Sequence, residues 1–339
     1  MRVLVTGGAG FVGSHTAKAL ASAGHEPIVY DNLRTGHRWA VKWGPFYHGD
    51  LFHTERLVEV MRAERIEAVL HFAALAYVGE SVDRPDLYYR TNVAGSLALL
   101  EAMRMVGVEK IVFSSTCATY GIAQEIPIRE TTPQNPINPY GRTKLMVEDM
   151  LADHTAAFGI GAAVLRYFNA AGSDPEGEIG EEHDPETHLL PLVLQAAAGQ
   201  IPHLSVLGDD WDTPDGTCVR DYVHVCDLAR AHEKALKAIE PGRVRTWNLA
   251  SGQGTSVREM VEAAERITGR TVPCRVIVRR PGDPPTLTAS GDLAAAELDW
   301  KPRESLDRMI ETAWAWMVEN RTDMRLSSVL DPGNRPLRI

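Results

Sequence analysis

A glycine-rich string near the start of the chain constrains its fold more than any other feature. Arg2–Thr6 has the pattern of a short buried strand, and the string Gly7–Gly13 (GGAGFVG) follows it directly, ahead of a helical pattern that ends at Gly24. Glycines at 7, 10 and 13 allow a tight turn from strand to helix, and they let backbone N–H groups approach a pyrophosphate at the helix N-terminus. The string therefore predicts the first strand and helix of a dinucleotide-binding unit.

An acidic residue stands where such a unit binds its ribose. A second predicted strand, Glu26–Tyr30, ends at Asp31, about 20 residues beyond the glycines. A carboxylate at this point accepts hydrogen bonds from both hydroxyls of the adenosine ribose and repels a 2′-phosphate, so NAD is favoured over NADP. Arg34 is close enough to leave NADP open, and a glycine turn with an aspartate helix cap is the alternative that involves no nucleotide.

Strand and helix patterns then alternate along the first half of the chain. Further strands are predicted at Phe46–His48, Ala68–Phe72, Lys110–Ser114 and Ala162–Tyr167. This alternation is typical of an α/β fold with a doubly wound parallel (Rossmann) sheet, whose ligands bind at the carboxyl ends of the strands. Asp50, Ala73–Ala76 and Ser114–Thr116 all lie at such ends. Asn92, inside a helix predicted over Pro85–Val106, is either a cofactor contact or an ordinary polar position.

The pattern loosens beyond residue 172. The expected elements are helices at Leu189–Ala198, 256–268 and 304–320, strands at Leu204–Leu207 and Val272–Val278, and a helix and strand that return to the sheet, Val223–Ala238 and Thr246–Leu249. We therefore expect residues 1–168 with about 223–250 to form an NAD-binding Rossmann domain. Residues from about 169–222 with 251–321 form a smaller, discontinuous C-terminal lobe for the substrate, and 322–339 form a tail. The reaction site is expected in the cleft between the two domains.

Asn138–Lys144 (NPYGRTK) is the strongest candidate for catalysis. It opens a predicted helix, and a spacing of four residues places Tyr140 and Lys144 on one face with Cβ atoms roughly 5–6 Å apart. A phenol with a pKa near ~10 is protonated at neutral pH, so it acts as a base only if a cation lowers that pKa. We expect Lys144 and an oxidised nicotinamide ring to do so. Alone, the pair is also consistent with an ordinary solvated contact.

Composition and charge narrow the remaining possibilities. The chain has 339 residues, enough for two domains, and its net charge of −10 argues against nucleic acid or an anionic membrane as a partner. Apolar runs stay well short of the roughly 18 residues that a membrane span needs. The four cysteines, Cys117, Cys218, Cys226 and Cys274, lack the pairing typical of metal sites, and no signal peptide precedes the first strand. We expect a cytoplasmic protein without a metal.

Many further pieces occur in order at the separations of one known family. They are Thr6–Gly13, Asp31–Leu33 with Gly36, Gly49–Leu51, His71–Ala74 with Val78–Ser81, Asn92-Val93, Phe113–Thr116 with Tyr120-Gly121, Asn138–Lys144, Leu165–Asn169, Asp215–Thr217, Val219–His224 and Arg279–Asp283. This series resembles the extended short-chain dehydrogenase/reductase family and, within it, the UDP-glucose (UDP-galactose) 4-epimerases, to about residue 320. The resemblance implies NAD-dependent epimerisation at C4 of a UDP-sugar through a 4-keto intermediate. It also implies a homodimer formed through the helices near 85–106 and 139–158.

The resemblance further implies a role for each matching residue. Tyr140 is the base and acid at the sugar 4-OH, Lys144 binds the nicotinamide ribose, and the Thr116 hydroxyl bridges the 4-oxygen. The residues implied to bind NAD are Gly7, Gly10, Phe11, Val12, Gly13, Asp31, Asn32, Leu33, Arg34, Thr35, Gly36, Asp50, Leu51, Phe72, Ala73, Ala74, Ala76, Asn92, Ser114, Tyr140, Lys144 and Phe168. Those implied to bind the UDP-sugar are Thr116, Tyr140, Asn169, His188, Leu189, Ser205, Val206, Leu207, Arg220, Arg280, Asp283 and Leu287.

Three positions depart from the family pattern. Ala76 stands where some relatives have a lysine, His188 where some have an asparagine, and Leu287 where some have a tyrosine that gates the hexose pocket. The smaller Leu287 would leave room for N-acetylated hexoses. Arg220 and Arg280 could each clamp a diphosphate with a guanidinium fork, or each could be an ordinary surface arginine.

Alternative functions differ in how well the residues fit them. A UDP-xylose/UDP-arabinose or UDP-GlcNAc 4-epimerase fits as well as a UDP-glucose enzyme does. A non-catalytic NAD(H)-binding scaffold is disfavoured, because it has no use for Thr116, Tyr140 and Lys144. A 4,6-dehydratase needs the Asp-Glu pair that such relatives carry after the threonine, and Cys117-Ala118 cannot replace it.

Overall fold

Apolar residues fill both faces of the strands of the central sheet, as in parallel sheets that are covered by helices on each side. The computed structural model describes residues 1–279 and 283–330, and of residues 320–330 only the backbone. The strands are β1 Arg2–Thr6, β2 Glu26–Asp31, β3 Phe46–His48, β4 Ala68–His71, β5 Lys110–Thr116, β6 Gly161–Tyr167, β7 Asn169–Ala171, β8 Leu204–Leu207, β9 Val219–His224, β10 Val244–Leu249, β11 Gly254–Ser256, β12 Cys274–Ile277 and β13 Thr286–Leu287. The α-helices are α1 Phe11–Ser22, α2 Thr54–Ala63, α3 Val78–Asp83, α4 Pro85–Tyr88, α5 Gly95–Val106, α6 Pro139–Phe158, α7 Leu189–Ala197, α8 Val225–Lys237, α9 Val257–Thr268, α10 Asp292–Leu298 and α11 Leu306–Leu330.

Seven parallel strands form the main sheet in the order β10-β6-β5-β4-β1-β2-β3. The order reverses between β1 and β4, and ligands of doubly wound sheets bind beyond the carboxyl ends of the strands at such a reversal. Thr6 pairs with His71 across β1 and β4, and Thr116 pairs with Tyr167 across β5 and β6, so these carboxyl ends share one edge. The α/β doubly wound sheet predicted from the sequence is confirmed.

Two apolar cores cover the two faces of this sheet. One joins the sheet to α2, α5 and α6 through residues such as Leu57, Leu99 and Val147. The other joins it to α1, α8 and α10 through residues such as Leu20 and Leu228. Complete burial of each such side chain is worth about 1.5–3 kcal/mol, so the strand edge that carries the site rests on a rigid support.

Two small sheets follow the main one. Strand β9 pairs with β7, β11 and β13, and β12 pairs with β8. A third apolar core packs α7, α9 and α11 together through residues such as Val193, Met260 and Ile310. Strand β9 leads directly into α8, so the small sheets connect to the main sheet at this point.

Several elements differ from their predicted limits. The stretch Val219–His224 is strand β9, whereas the sequence predicted a helix from Val223; the pairing of β9 with three strands that are distant in sequence is not visible in a local pattern. The helix predicted over Pro85–Val106 contains a π-helical segment at Tyr89–Ala94. The last helix runs to Leu330, into the predicted tail, of which residues 331–339 lie outside the described part. Among the described residues, no helix combines the length and apolarity needed to cross a membrane.

Candidate active site

The glycine turn after β1 is a cradle that larger residues would fill. Gly7 has a φ of +73°, and a Cβ placed on it would lie 2.5 Å from the backbone nitrogen of Ala73. A Cβ on Gly13 would lie 2.2 Å from the carbonyl oxygen of Gly7. Helix α1 begins at Phe11 directly beyond the turn, and its N-cap Gly10 offers no side chain, so the first-turn N–H groups face outward. This geometry fits the pyrophosphate of a dinucleotide such as NAD.

The loop after β2 packs against this turn. The Asp31 carboxylate accepts hydrogen bonds from the backbone nitrogens of Ala9 at 3.0 Å and Leu33 at 2.8 Å, and burial raises its pKa although these bonds lower it. Leu33 has a φ of +57°, a strained conformation of the kind found at ligand sites. A Cβ on Gly36 would lie 2.8 Å from the carbonyl carbon of Ala9. The loop is therefore held in one position by the acid that was predicted to bind the ribose.

The remaining predicted cofactor residues line the same strand edge. The Asn32 amide donates to the Asp50 carboxylate at 2.8 Å, which ties the β2 loop to the β3 loop beside buried Leu51. Phe72 contacts the ring of His232 on α8 with centroids 4.7 Å apart. The exposed residues in this group are Asn32, Arg34, Thr35 and Ala76.

Asn92 ties the loop after β4 to helix α6 through three hydrogen bonds. Its amide oxygen accepts from the nitrogen of Leu75 at 2.8 Å, and its amide nitrogen donates to the Leu75 carbonyl and to the Thr143 hydroxyl, both at 3.0 Å. The side chain is almost completely buried. Asn92 therefore fixes the Ala73–Ala76 loop against helix α6, and its predicted contact with the cofactor stays a prediction.

The candidate catalytic side chains converge from β5 and α6. The Asn138 side chain caps α6 by accepting from the nitrogen of Gly141 at 2.8 Å, and Pro139 occupies the first turn. A Cβ on Gly141 would lie 2.4 Å from the carbonyl oxygen of Ala118, so glycine lets the helix start approach the end of β5. Tyr140 consequently lies beside Thr116, whose side chain forms a hydrogen bond with the phenol.

The charges around Tyr140 differ from the sequence prediction. Burial raises the pKa of the Tyr140 phenol above its usual value, and only the hydrogen bond with Thr116 acts in the opposite direction. The ammonium of Lys144 donates to the carbonyl oxygen of Ser114 at 2.7 Å, and burial lowers the pKa of Lys144 to about 7 although Glu148 raises it. The spacing of four residues placed both side chains correctly on one helix. Burial sets the direction of the pKa shift of Tyr140 in the protein without cofactor, and Lys144 is not among its causes. The predicted lowering by Lys144 together with an oxidised nicotinamide ring stays a prediction.

Tyr167 is a residue at this site that sequence reasoning missed. Its hydroxyl lies 2.5 Å from the Ser114 hydroxyl, and burial raises the pKa of Tyr167 to about 12. It contributes to the raised pKa of Tyr140. The signal was available, because Tyr167 ends β6 directly opposite Thr116 in a parallel register.

The predicted sugar-nucleotide residues fall on the small sheets. The Asn169 amide donates to the carbonyl oxygen of Asp221 at 2.9 Å, which attaches β7 to β9. Arg220 pairs with Leu287 across β9 and β13, and its guanidinium donates to the carbonyl oxygen of Val219 at 2.9 Å. Partly buried Phe168 and Leu287 pack on one apolar cluster that contains Cys117, so these residues lie beside the end of β5.

The other predicted residues of this group lie on separate elements. Ser205, Val206 and Leu207 belong to β8 in the second small sheet, and Ser205 is exposed. His188 and Leu189 form the start of α7. Asp283 is half-buried, and Arg280 lies outside the described residues.

A model of the NAD dependent epimerase/dehydratase family matches residues 3–250, from β1 to the end of β10. The chain belongs to the NAD dependent epimerase/dehydratase family. The resemblance inferred from the motif series is thereby confirmed, since this match spans the glycine turn, the Asp31 loop and the Tyr140 helix together.

Relatives within this family are similar over nearly their whole length. The UDP-glucose 4-epimerase of Rhizobium leguminosarum bv. trifolii is 50% identical over 319 residues, which cover 94% of this chain and 98% of that protein. The UDP-glucose 4-epimerase of Brucella ovis, solved in complex with NAD, is 54% identical with a TM-score of 0.90, covering 93% and 97% of the two chains. The enzyme of Bifidobacterium longum, solved with NAD+ and UDP, is 38% identical with a TM-score of 0.91, covering 95% and 99%.

Proposed function

We propose that the chain interconverts UDP-galactose and UDP-glucose by epimerisation at C4, with NAD as its bound cofactor. The observation that carries this proposal is the meeting of Thr116 and Tyr140 beside a glycine cradle, in a chain about half identical to named UDP-glucose 4-epimerases. NAD is present in the Brucella ovis structure, and UDP accompanies NAD+ in that of Bifidobacterium longum. The cradle, the Asp31 loop and the Lys144 ammonium are the parts of this chain that would hold NAD.

Tyr140 and Thr116 carry the proton transfer in this proposal. The Tyr140 phenolate takes the proton of the sugar 4-OH, and the Thr116 hydroxyl, hydrogen-bonded to the phenol, holds the 4-oxygen in place. When bound, NAD supplies the reversible hydride acceptor for C4. Tyr140 then returns its proton after the 4-keto sugar has presented its other face, so the reaction has no net oxidation or reduction.

Lys144 responds to the charge of Tyr140 rather than setting it alone. With a pKa near 7, its amine is about half protonated at neutral pH. Formation of a phenolate nearby favours the ammonium form, because opposite charges stabilise each other strongly at a buried site. When bound, an oxidised nicotinamide would add its positive charge to the same effect. The two cations together lower a phenol pKa that burial raises.

Residues on the small sheets, at the start of α7 and in the 280–283 stretch of the sequence would bind the nucleotide part of the substrate. Arg220 and Arg280 suit the diphosphate, and Asn169, His188, Leu189, Ser205–Leu207 and Asp283 would hold the rest of the UDP part. Anchoring far from C4 positions the sugar and still lets it rotate after oxidation. In this proposal the 169–222 and 251–321 segments form the substrate lobe, and residues 1–168 with about 223–250 form the NAD-binding domain.

A homodimer in the cytoplasm belongs to the same proposal. Large apolar side chains are exposed on two neighbouring helices, Leu97 and Met105 on α5 and Met146 and Phe158 on α6. Association through these helices would remove that apolar surface from water. All four cysteines are free, as is usual in a reducing compartment.

The decisive experiment supplies purified protein with UDP-galactose and no added reductant. We expect UDP-glucose to accumulate to an equilibrium mixture, with no consumption of a soluble nicotinamide cofactor. Parallel assays with UDP-GlcNAc and UDP-xylose rank the alternative sugars. A requirement for stoichiometric NAD(P)H, or no turnover of any of these sugars, would overturn the proposal.

A further inference from the structure

Four potential metal ligands meet in the irregular segment between β7 and α7. They are Glu181, His183, Glu186 and His188, here called the His183 cluster, and their ligand atoms all lie within 4.8 Å of one another. His183 Nδ1 lies 3.4 Å from Glu181 Oε1 and 3.5 Å from Glu186 Oε2. His188 Nδ1 lies 2.9 Å from Glu181 Oε1 and 3.2 Å from Glu186 Oε1. Two imidazoles thus face two carboxylates.

These separations match the edges of a coordination tetrahedron. Zinc binds imidazole nitrogen and carboxylate oxygen at about 2.0–2.2 Å, and the ligand atoms of a regular tetrahedron of that size are roughly 3.3–3.6 Å apart. Three of the four distances, at 3.2, 3.4 and 3.5 Å, lie within or very near that range, and the contact at 2.9 Å is somewhat shorter. Glu186 faces His183 with Oε2 and His188 with Oε1, so its carboxylate must turn to offer one oxygen to the ion. An ion can therefore enter between the four groups with only small side-chain movements.

Hydrogen bonding leaves part of this cluster unsatisfied. The Glu181 side chain is only 6% exposed, and its buried Oε1 has no hydrogen-bond partner among the described residues despite lying close to both imidazoles. The buried Nδ1 of His183 is likewise without such a partner in the part of the chain that the structure describes. The two imidazoles lie close to Glu181 Oε1 as ion-pair partners but make no hydrogen bond of good geometry with it. A metal cation can take their place as the partner of a buried carboxylate oxygen.

The surroundings give an ion both access and support. Glu181, His183 and Glu186 line a cavity of about 160 Å³ that Leu194 of α7 also lines. The Tyr77 ring, in the loop before α3, lies with its centroid 6.1 Å from that of His183 and 6.4 Å from that of His188. The cluster therefore lies between the loop before α3 and the start of α7.

A second acidic cluster in the same segment has no room for a metal ion, because a lysine side chain already lies at its centre. Asp174, Glu176 and Glu178 also lie within ligand distance of one another. The Lys18 ammonium lies 2.8 Å from Asp174 and 2.6 Å from each of Glu176 and Glu178, so a cation already occupies its centre. That group carries no site for a metal.

We propose that the His183 cluster binds one divalent transition-metal ion of the zinc type, as a structural site. Its ligands are imidazole nitrogens and carboxylate oxygens, which suit such ions, and four protein ligands complete a tetrahedron without an open position for chemistry. Two carboxylates balance the charge of the ion. Because His188 directly precedes α7, the ion fixes the start of this helix relative to the Tyr77 loop. The Tyr140 chemistry does not require the ion, although His188 is also among the residues that the resemblance implies for binding of the UDP-sugar.

The test uses Co²⁺ as a spectroscopic probe on the full chain after treatment with a chelator. We expect one equivalent to bind, with the intense visible absorption of tetrahedral Co²⁺, and Zn²⁺ to displace it. Glu181→Gln and His183→Gln should each weaken binding by more than about 100-fold, since even outer partners of metal ligands are worth about 10–100-fold. Glu176→Gln, in the group centred on Lys18, is the matched control and should bind Co²⁺ like the wild type.

Several results would overturn the metal site. Failure of the wild type to bind Co²⁺, equal binding by the two cluster variants, or a sulfur-to-cobalt band that places the ion on a cysteine would each do so. Circular dichroism at 25 °C and an unchanged NAD content confirm that each variant is folded before it is titrated. Direct metal analysis of protein purified without chelator provides an independent measurement, and a metal content that falls in Glu181→Gln but not in Glu176→Gln supports the assignment.

Discussion

Burial and neighbouring charges shift pKa values in opposite directions in the pocket around Tyr140 and in the segment Asp174–His188. In the pocket, burial dominates: it raises the pKa of Tyr140, lowers that of Lys144 to about 7 and lowers that of His71 to about 3. In the segment, partners dominate. Burial alone would lower the pKa of Lys18, yet the neighbouring carboxylates of Asp174, Glu176 and Glu178 raise it.

This difference in how buried charges are compensated distinguishes a catalytic site from a cluster of ion pairs that holds the fold together. Groups that are buried without a compensating charge respond strongly when a ligand brings that charge, which is the condition for general acid–base catalysis near neutral pH. Groups that compensate one another hold the chain instead. Lys18 on α1 binds Asp174, 156 residues away, and so attaches the start of the Rossmann sheet to the segment before α7.

Removing the phenol of Tyr140 is expected to have the largest effect on activity. Tyr140→Phe keeps the ring but removes the acid and base, so kcat should fall by about 100- to 10,000-fold. The free energy of unfolding and the bound NAD should change little. Kinetics of UDP-galactose conversion and the absorbance of bound cofactor measure the two effects separately.

Tyr47→Phe is the control for this substitution. Tyr47 lies on β3 and its hydroxyl donates to Glu64, so the variant loses a phenol hydrogen bond far from Thr116. It should retain full activity. If Tyr140→Phe retained comparable turnover, Tyr140 would have no part in the proton transfer.

Removal of the Lys18 ammonium should lower stability and leave activity unchanged, the opposite of what we expect for Tyr140→Phe. Lys18→Met leaves Asp174, which is 4% exposed, without its cation, and should lower the free energy of unfolding by about 2–4 kcal/mol, somewhat below the cost of breaking a fully buried pair. The activity of the folded enzyme should stay near that of the wild type. Urea denaturation and initial rates below the midpoint test the two statements.

Arg56→Met is the control for Lys18→Met, because it also removes one cation but from an exposed ion pair. Arg56 pairs with Glu59, and both side chains are exposed, so the cost should stay below about 1 kcal/mol. Equal destabilisation by Lys18→Met and Arg56→Met would remove the distinction between the segment and an ordinary surface.

Lys144 tests the pocket through its pH dependence. Its pKa is about 7 in the folded protein, below the value near 10.4 of an unfolded lysine, so the unfolded chain binds the extra proton between these pH values. The destabilisation is complete below about pH 7 and fades as the pH rises, by up to about 1.4 kcal/mol per pH unit. Lys144→Met removes this dependence, so its stability advantage over cofactor-free wild type should shrink between pH 7 and 9. Parallel pH curves of urea unfolding for the two proteins would contradict a buried, poorly compensated lysine.

Local sequence patterns were enough to predict the parallel sheet, the glycine turn and the helix that carries Tyr140. The turn after β1 has a positive φ at Gly7 and a close approach of the Ala73 backbone, and only glycine tolerates both. Such positions are therefore occupied by glycine and can be recognised in the sequence. Spacing likewise placed Tyr140 and Lys144 on one face of α6. Strand β9 was missed because its partners come from three distant parts of the chain.

Properties that depend on packing could not be predicted in the same way. The sign of the pKa shift of Tyr140 follows from burial, which the spacing to Lys144 does not encode. The His183 cluster was missed because its ligands lie in a segment without helical or strand periodicity, where only the folded chain brings Glu181 and His188 together. The expectation of a protein without a metal rested on cysteine pairing and did not consider such a site.

Leu287 tests whether shape, rather than charge, selects the sugar in the pocket. It pairs with Arg220 across β9 and β13 and packs beside Phe168, at the end of the pocket where the hexose is expected. Leu287→Tyr should lower kcat/KM for UDP-GlcNAc about tenfold more than for UDP-galactose, since a steric change of this size is worth about 1–3 kcal/mol. Leu287→Met keeps the volume and should leave the ratio unchanged. Because neither variant alters a charged group, an equal fall for both sugars would mean that residue 287 supports the fold of β13 and does not form the wall of the hexose pocket.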